Sequence, residues 1–193
     1  MRGKILNISY KLPSFVRYNP EQYYDLRSDI VKGGGNPWTV GDLRILFDDL
    51  SDVRNASQNG FIEFKYEDEI IRFDIFKGFA YNTASVPDVF KPIIDNDDFA
   101  TDLLSIPHDG VYIGKQMKKT EIDTIFVDGI EYFHDLKDSG GISGFFEDLK
   151  ENIIEQAVEI AFATDIAMES WNRGTELAPK SGSMFKVTRT AIL

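Results

Sequence analysis

Phe61-Ile62-Glu63-Phe64-Lys65-Tyr66-Glu67-Asp68-Glu69-Ile70-Ile71-Arg72-Phe73-Asp74-Ile75-Phe76 is the stretch that decides the fold. Apolar and charged residues alternate from Phe61 to Tyr66 and again from Ile70 to Phe76. That is the period of a strand with one face in a core. Glu67-Asp68-Glu69 parts the two runs and reads as a turn, so the stretch predicts a β-hairpin with charged residues on one face. Phe73 and Ile75, with Phe61 and Tyr66 on the partner strand, are expected to help line the inner face.

Upstream, Trp38 to Leu50 admits a strand or a short helix. The alternation of Leu43, Ile45 and Phe47 leans towards strand. Residues 1–37 scatter Tyr10, Phe15, Tyr18, Tyr23 and Tyr24 without a clean period and end in Gly33-Gly34-Gly35-Asn36-Pro37. They read as a partly extended aromatic arm with a short helix near Glu21–Val31, seated on a neighbouring subunit or on its own domain. The glycine run reads as a hinge. No Lys-Ser or Lys-Thr follows it, so it is not a Walker phosphate loop.

Downstream of residue 87 the apolar period changes to about 3.6. Pro87 to Ile94 predicts a short helix, with Ser85 as its cap. Asp97 or Asp98 is expected to cap a second helix through Phe99, Leu103 and Leu104, which Pro107 kinks or restarts. Thr120 is expected to cap a third, with Ile122, Ile125, Phe126, Ile130 and Phe133 as its apolar stripe. After the Ser139-Gly140-Gly141 break a long helix is expected over 145–172, its inward residues including Phe146, Ile153, Ile160 and Trp171. Lys180 to Leu193 alternates at Met184–Thr190 and reads as a tail or an added edge strand.

Composition narrows the classes. In 193 residues there is no cysteine, which excludes disulfides, thiolate catalysis and cysteine zinc sites. The net charge of −11 disfavours nucleic acid and anionic lipid as partners. No apolar run is long enough for a stable membrane span. With two histidines and no cysteine, a zinc site would need both histidines, and their spacing does not unite them.

One of those histidines stands in Pro107-His108-Asp109-Gly110-Val111-Tyr112. On a helix His108 and Tyr112, four apart, share a face, whereas Asp109 points about 100° away from its neighbour. Asp109 is therefore a poor partner for His108. Asp123, in the first turn of the next helix beside an apolar stripe, is a better one, because an acid placed there needs pairing. The arrangement has two readings. One is catalytic, with His108 as general base, Asp123 orienting it, and Tyr112 nearby. The other is a polar clamp of the same three residues fixing helix packing. Ser85 is a weak candidate nucleophile, since the glycine-flanked elbow is missing. His134-Asp135, a second pair at a helix end, reads as surface.

Gly78-Phe79-Ala80-Tyr81-Asn82-Thr83-Ala84-Ser85-Val86-Pro87, then His108-Asp109-Gly110-Val111-Tyr112, then Thr120 to Phe126 stand in order. The series resembles the family known as domain of unknown function 1353, carried mainly by bacteriophages and prophages, over roughly residues 40–172. Asn82 departs from the Asp usual in the family. The His-Asp helix facing a second helix with an Asp is also similar to phospholipase A2. That similarity implies a histidine that activates water and an Asp, here Asp109, that holds calcium.

The expectation is an α+β protein. A small antiparallel sheet (about 40–80) packs on three or four helices (about 87–172), with an arm over 1–37, one domain over 38–174 and a tail over 175–193. The phage resemblance implies a structural or morphogenesis protein, a tail or neck component of the virion assembled in the host cytoplasm. Its partners would be other phage structural proteins or copies of itself, and it would need no cofactor. The alternative is a small His-dependent hydrolase, phospholipase-like or acting on the cell envelope, with Asp109 on calcium.

Overall fold

The computed structural model describes residues 4–82, 99–138, 165–175 and 177–192. Ser85, the helix expected over 87–94, the Asp97/Asp98 cap, the glycine break at 139–141 and most of the helix expected over 145–172 lie outside them. The fold is α+β, built on two antiparallel sheets.

The hairpin is present. Strands β4 (Gly60–Lys65) and β5 (Glu69–Ile75) pair with Ile62 opposite Phe73 and Phe64 opposite Ile71. The even positions Ile62, Phe64 and Tyr66 and the odd positions Ile71, Phe73 and Ile75 are all buried. Phe61 corrects the expectation. It has the parity of Glu63, so it lies on the outer face, where the Arg72 guanidinium sits 3.9 Å over its ring. Arg72 also reaches Asp74, two residues on in its own strand, at 2.8 Å and Glu63 across the hairpin at 3.5 Å, so the charged face is paired both along and across the strands.

Residues of the expected arm pack on their own domain. Strand β1 (Asn7–Lys11) pairs with β4, and β2 (Phe15–Arg17) pairs with β3 (Val53–Ala56). Helix α1 (Pro20–Lys32) follows, with the Asn19 side chain accepting from the backbone of Glu21 and Gln22, and Pro20 in its first turn. It buries Tyr23, whose hydroxyl donates to the Trp38 carbonyl at 3.0 Å. The glycine run closes this helix, with Gly34 at φ 84 and its N–H, like those of Gly33 and Gly35, returned to helical carbonyls.

Residues 40–46 are helix α2 (Val40–Leu46), not strand. Thr39 and Asp42 form a reciprocal capping box, with Thr39 Oγ1 accepting from the Asp42 N–H and Asp42 Oδ2 from the Thr39 N–H. The helix buries Leu43 and Leu46 and leaves Ile45 exposed. Phe47 is extended and ends it, which produced the misleading alternation. A 3-10 turn (Leu50–Asp52) leads into β3, which also pairs with β6 (Ala80–Asn82).

Helix α3 (Phe99–Gly114) runs on through Pro107, which neither kinks it into two elements nor restarts it. Helix α4 (Lys119–Asp138) starts earlier than expected. The Lys118 N–H donates to the Glu121 carboxylate, and Thr120, inside the helix, accepts from Thr124 through its carbonyl. The expected stripe is correct, with Ile122, Ile125, Phe126 and Ile130 buried and Phe133 packed against the core. Helices α5 (Asp165–Gly174) and α6 (Ala178–Ser181) precede β7 (Phe185–Ala191), which pairs with β5. The tail is thus an added strand, and the four-stranded sheet runs β1-β4-β5-β7.

Among the described residues no helix is long and apolar enough to cross a membrane. Helix α3 contributes much of the helical core: Leu103, Leu104, Ile106, Val111 and Ile113 are all buried. At Gly110 it meets the Phe185 ring, which an added Cβ would approach to 2.4 Å. At Gly174 the reverse contact occurs, since a Cβ there would lie 2.3 Å from the Tyr112 carbonyl oxygen.

Candidate functional site

Helices α3 and α4 bring His108, Tyr112 and Asp123 together. His108 Nε2 lies 3.1 Å from Asp123 Oδ1, and the Tyr112 hydroxyl donates to the same oxygen at 2.9 Å. The His108 and Tyr112 rings are 4.1 Å apart, as one helical turn places them. Phe126, one turn below Asp123 on α4, presents its ring edge-on to His108 at 5.4 Å.

A carboxylate only accepts, so the Nε2–H of His108 donates to Asp123. In the neutral ring the lone pair is then on Nδ1, on the side of Asp109, whose Oδ1 is 3.9 Å away. Asp109 faces another way as well: its Oδ2 accepts the backbone N–H of Asn82 at 3.1 Å. That bond ties the end of β6 to the motif.

Burial pushes the His108 imidazole pKa down, but the Asp109 and Asp123 carboxylates outweigh it and hold it above the ordinary histidine value. Burial moves Asp109 up, only partly countered by His108 and the Asn82 N–H. Burial, reinforced by the Asp123 charge, raises Tyr112 and keeps it a hydrogen-bond donor.

Two residues of the site were not found by sequence reasoning. Lys119 Nζ reaches Asp123 Oδ2 at 2.9 Å, so both carboxylate oxygens are held. The signal was there: Lys119 and Asp123 are four apart at a helix start. Trp171 of α5 meets the Tyr112 ring edge-on at 5.2 Å. Next to it Lys115, at φ 53, closes the C-terminus of α3. Its ammonium donates to the carbonyls of Tyr112 and Trp171 and lies 3.5 Å over the Trp171 ring. Burial lowers its pKa to about 8.

Ser85 lies outside the described residues, so its distance to His108 is not part of the site. Asp135, on α4, is exposed and pairs with Lys4. Among the described residues no group of three or more His, Asp or Glu side chains could hold a metal ion. Asp109, the carboxylate of the motif itself, is engaged by the Asn82 N–H.

A separate polar network spans the edge of the three-stranded sheet. Asp102 of α3 accepts from the Tyr81 hydroxyl and from Arg54, both at 3.1 Å.

Fold and site together define an α+β protein in which two antiparallel sheets support a His–Asp–Tyr cluster shared between two helices. Residues 61–135 match the family model described as Protein of unknown function (DUF1353), so this stretch is similar to that family. The match runs from β4 into α4 and holds every described residue of the cluster except Trp171. It is narrower than the roughly 40–172 expected from the motifs. No curated protein and no solved structure matches the chain.

Proposed function

We propose that the protein is a small hydrolase of carboxylic esters in which His108 acts as general base. The observation that supports this reading is the His108 Nε2–Asp123 hydrogen bond of 3.1 Å. Asp123, itself fixed by Tyr112 and Lys119, holds the tautomer whose basic nitrogen is Nδ1. In the reaction Nδ1 takes a proton from water as the water oxygen attacks the ester carbonyl. When the ester C–O bond breaks, the imidazolium returns that proton to the departing alkoxide, giving acid and alcohol. A general base acts in its unprotonated form, so the rate should rise with pH through the His108 titration, which lies above the ordinary histidine value.

The test uses the full chain with p-nitrophenyl butyrate and with phosphatidylglycerol vesicles, each with calcium and with chelator. His108→Gln should lower kcat by at least about a hundredfold, Asp123→Asn by a smaller factor, and Tyr112→Phe least, with the thermal midpoint of Tyr112→Phe little changed. No hydrolysis by the wild type, or full activity in His108→Gln, overturns the reading. Loss of about 2–4 kcal/mol of stability in His108→Gln, with no activity to lose, marks the cluster as a clamp.

A second reading, a phage particle component, is favoured by aromatic side chains at the surface. Tyr10 and Phe99 are 45% and 50% exposed with ring centroids 5.7 Å apart, and Phe99 also meets Phe133 edge-on. Such a patch suits a neighbouring subunit. Stoichiometric copies of the protein in purified particles are the expected result, and its absence from them sinks this reading.

A further inference from the structure

The four-stranded sheet ends in β1 on one side and β7 on the other. In an antiparallel sheet alternate residues of a strand turn their N–H and C=O groups to opposite neighbours. The Tyr66 N–H donates to the Glu69 carbonyl, which fixes that alternation in β4. Tyr66, Phe64, Ile62 and Gly60 bond to β5, so Lys65, Glu63 and Phe61 bond to Asn7, Ser9 and Lys11 of β1. The backbone groups of Ile8 and Tyr10 therefore point out of the sheet, where no partner meets them among the described residues. Two other edges are covered. Gln116 bonds Phe185 and Val187 of β7, and Asp109 accepts the Asn82 N–H of β6. An uncovered edge is a template for another strand.

Ile8 and Tyr10 share the helix side of β1, opposite Phe64 and Ile62. Ile8 is buried, whereas Tyr10 is exposed beside the exposed Phe99. Residues 7–11 contain no carboxylate, in a chain of net charge −11. Two such chains repel overall, so a strip without acid is where they can meet. Lys11, on the outer face, has no ion pair among the described residues.

We propose that β1 pairs antiparallel with β1 of a second copy of this chain, about a two-fold axis at Ser9. In that register Ile8 faces Tyr10 of the second copy, Ser9 faces Ser9, and Asn7 faces Lys11. The two Ile8–Tyr10 pairs exchange two backbone hydrogen bonds each. The Tyr10 ring covers Ile8 of the second copy, an aromatic and β-branched pair of the kind that stabilises sheets, with Phe99 alongside. Charges also fit. No like charges stand directly opposite, and Lys11 comes one row from Glu63 of the second copy, a carboxylate that its own Arg72 reaches only at 3.5 Å. The strip is self-complementary, so the contact closes as a dimer. It is small against the roughly 800 Å² per partner of a standard interface, so a dissociation constant above about 1 μM is expected. The inference names an occupant for the Tyr10–Phe99 patch and is independent of the hydrolase reading and of any particle.

The test is sedimentation of the purified full chain from micromolar to millimolar concentration, with hydrogen exchange read at both ends. A monomer–dimer equilibrium is expected. The amides of Ile8 and Tyr10 should exchange fast in the monomer and at least about tenfold more slowly in the dimer, while those of Asn7, Ser9 and Lys11 stay slow in both. Tyr10→Pro removes an outward N–H from each copy and leaves the bonds to β4 in place, and should weaken the dimer at least about tenfold. Tyr10→Lys keeps the backbone, sets an ammonium against Ile8, and should weaken it about fivefold or more; it covers the case of a proline variant that does not fold. A chain that stays monomeric at millimolar concentration overturns the proposal. So does a dimer whose Ile8 and Tyr10 amides still exchange fast, or a folded Tyr10 variant that dimerises like the wild type.

Discussion

At His108 the charge of one imidazole is set against its own burial. The folded pKa lies above the ordinary value because Asp109 and Asp123 outweigh desolvation. Its contribution to stability is therefore fully present below about pH 6.5 and is lost as pH rises through the folded value. Asp109, raised by burial, acts with the same sign at lower pH, and the two titrate as a coupled pair. Urea midpoints measured from pH 5 to 9 should fall for the wild type and stay flatter for His108→Gln; equal slopes would rule this out. His108, Tyr112 and Asp123 were legible in the sequence because one spacing rule joins the first two and one burial argument demands the third. Trp171 was not, because it meets Tyr112 from a helix far along the chain, and no local period encodes that contact.

Among the elements, α3 is closely approached at Gly110 and along its backbone at Tyr112 and Ile113. Its Gly110 faces the Phe185 ring, so Gly110→Ala should cost about 1–3 kcal/mol through overpacking, because the ring can shift a little. Gly174→Ala should cost more, since its Cβ would meet the α3 backbone at Tyr112 and Ile113, which cannot give way locally. Thermal midpoints of the two variants check the order, and a milder Gly174→Ala would refute it. The hairpin was legible because alternation and turn agree. Helix α2 was not, because in a seven-residue element the spacing of Leu43, Ile45 and Phe47 matches a strand, and the deciding signal was the Thr39–Asp42 box. Phe61 shows the same limit: an aromatic residue in a strand says little about which face it takes, while its parity with Glu63 does.

In the whole molecule, the pairing of β5 with β7 joins residues ending at Ile75 to residues starting at Phe185. No period in either segment names its partner, so this closure was readable only as two open alternatives, a tail or an edge strand. Gln116, between α3 and α4, secures it by donating to the Phe185 carbonyl and accepting from the Val187 N–H. Phe185→Ala, which empties the space against Phe73, Phe79 and Gly110, should lower stability by about 3–5 kcal/mol, read from urea unfolding. A loss below 1 kcal/mol would mean that β7 is an ornament on a sheet complete without it. The β5–β7 pairing also has a consequence in time. The ribosome releases the hairpin long before it has made β7, so the nascent chain carries the bare hydrogen-bonding edge of β5 throughout the synthesis of the helices. Closing so long a loop is slow, and in that interval a second nascent chain is the nearest competitor for the same edge.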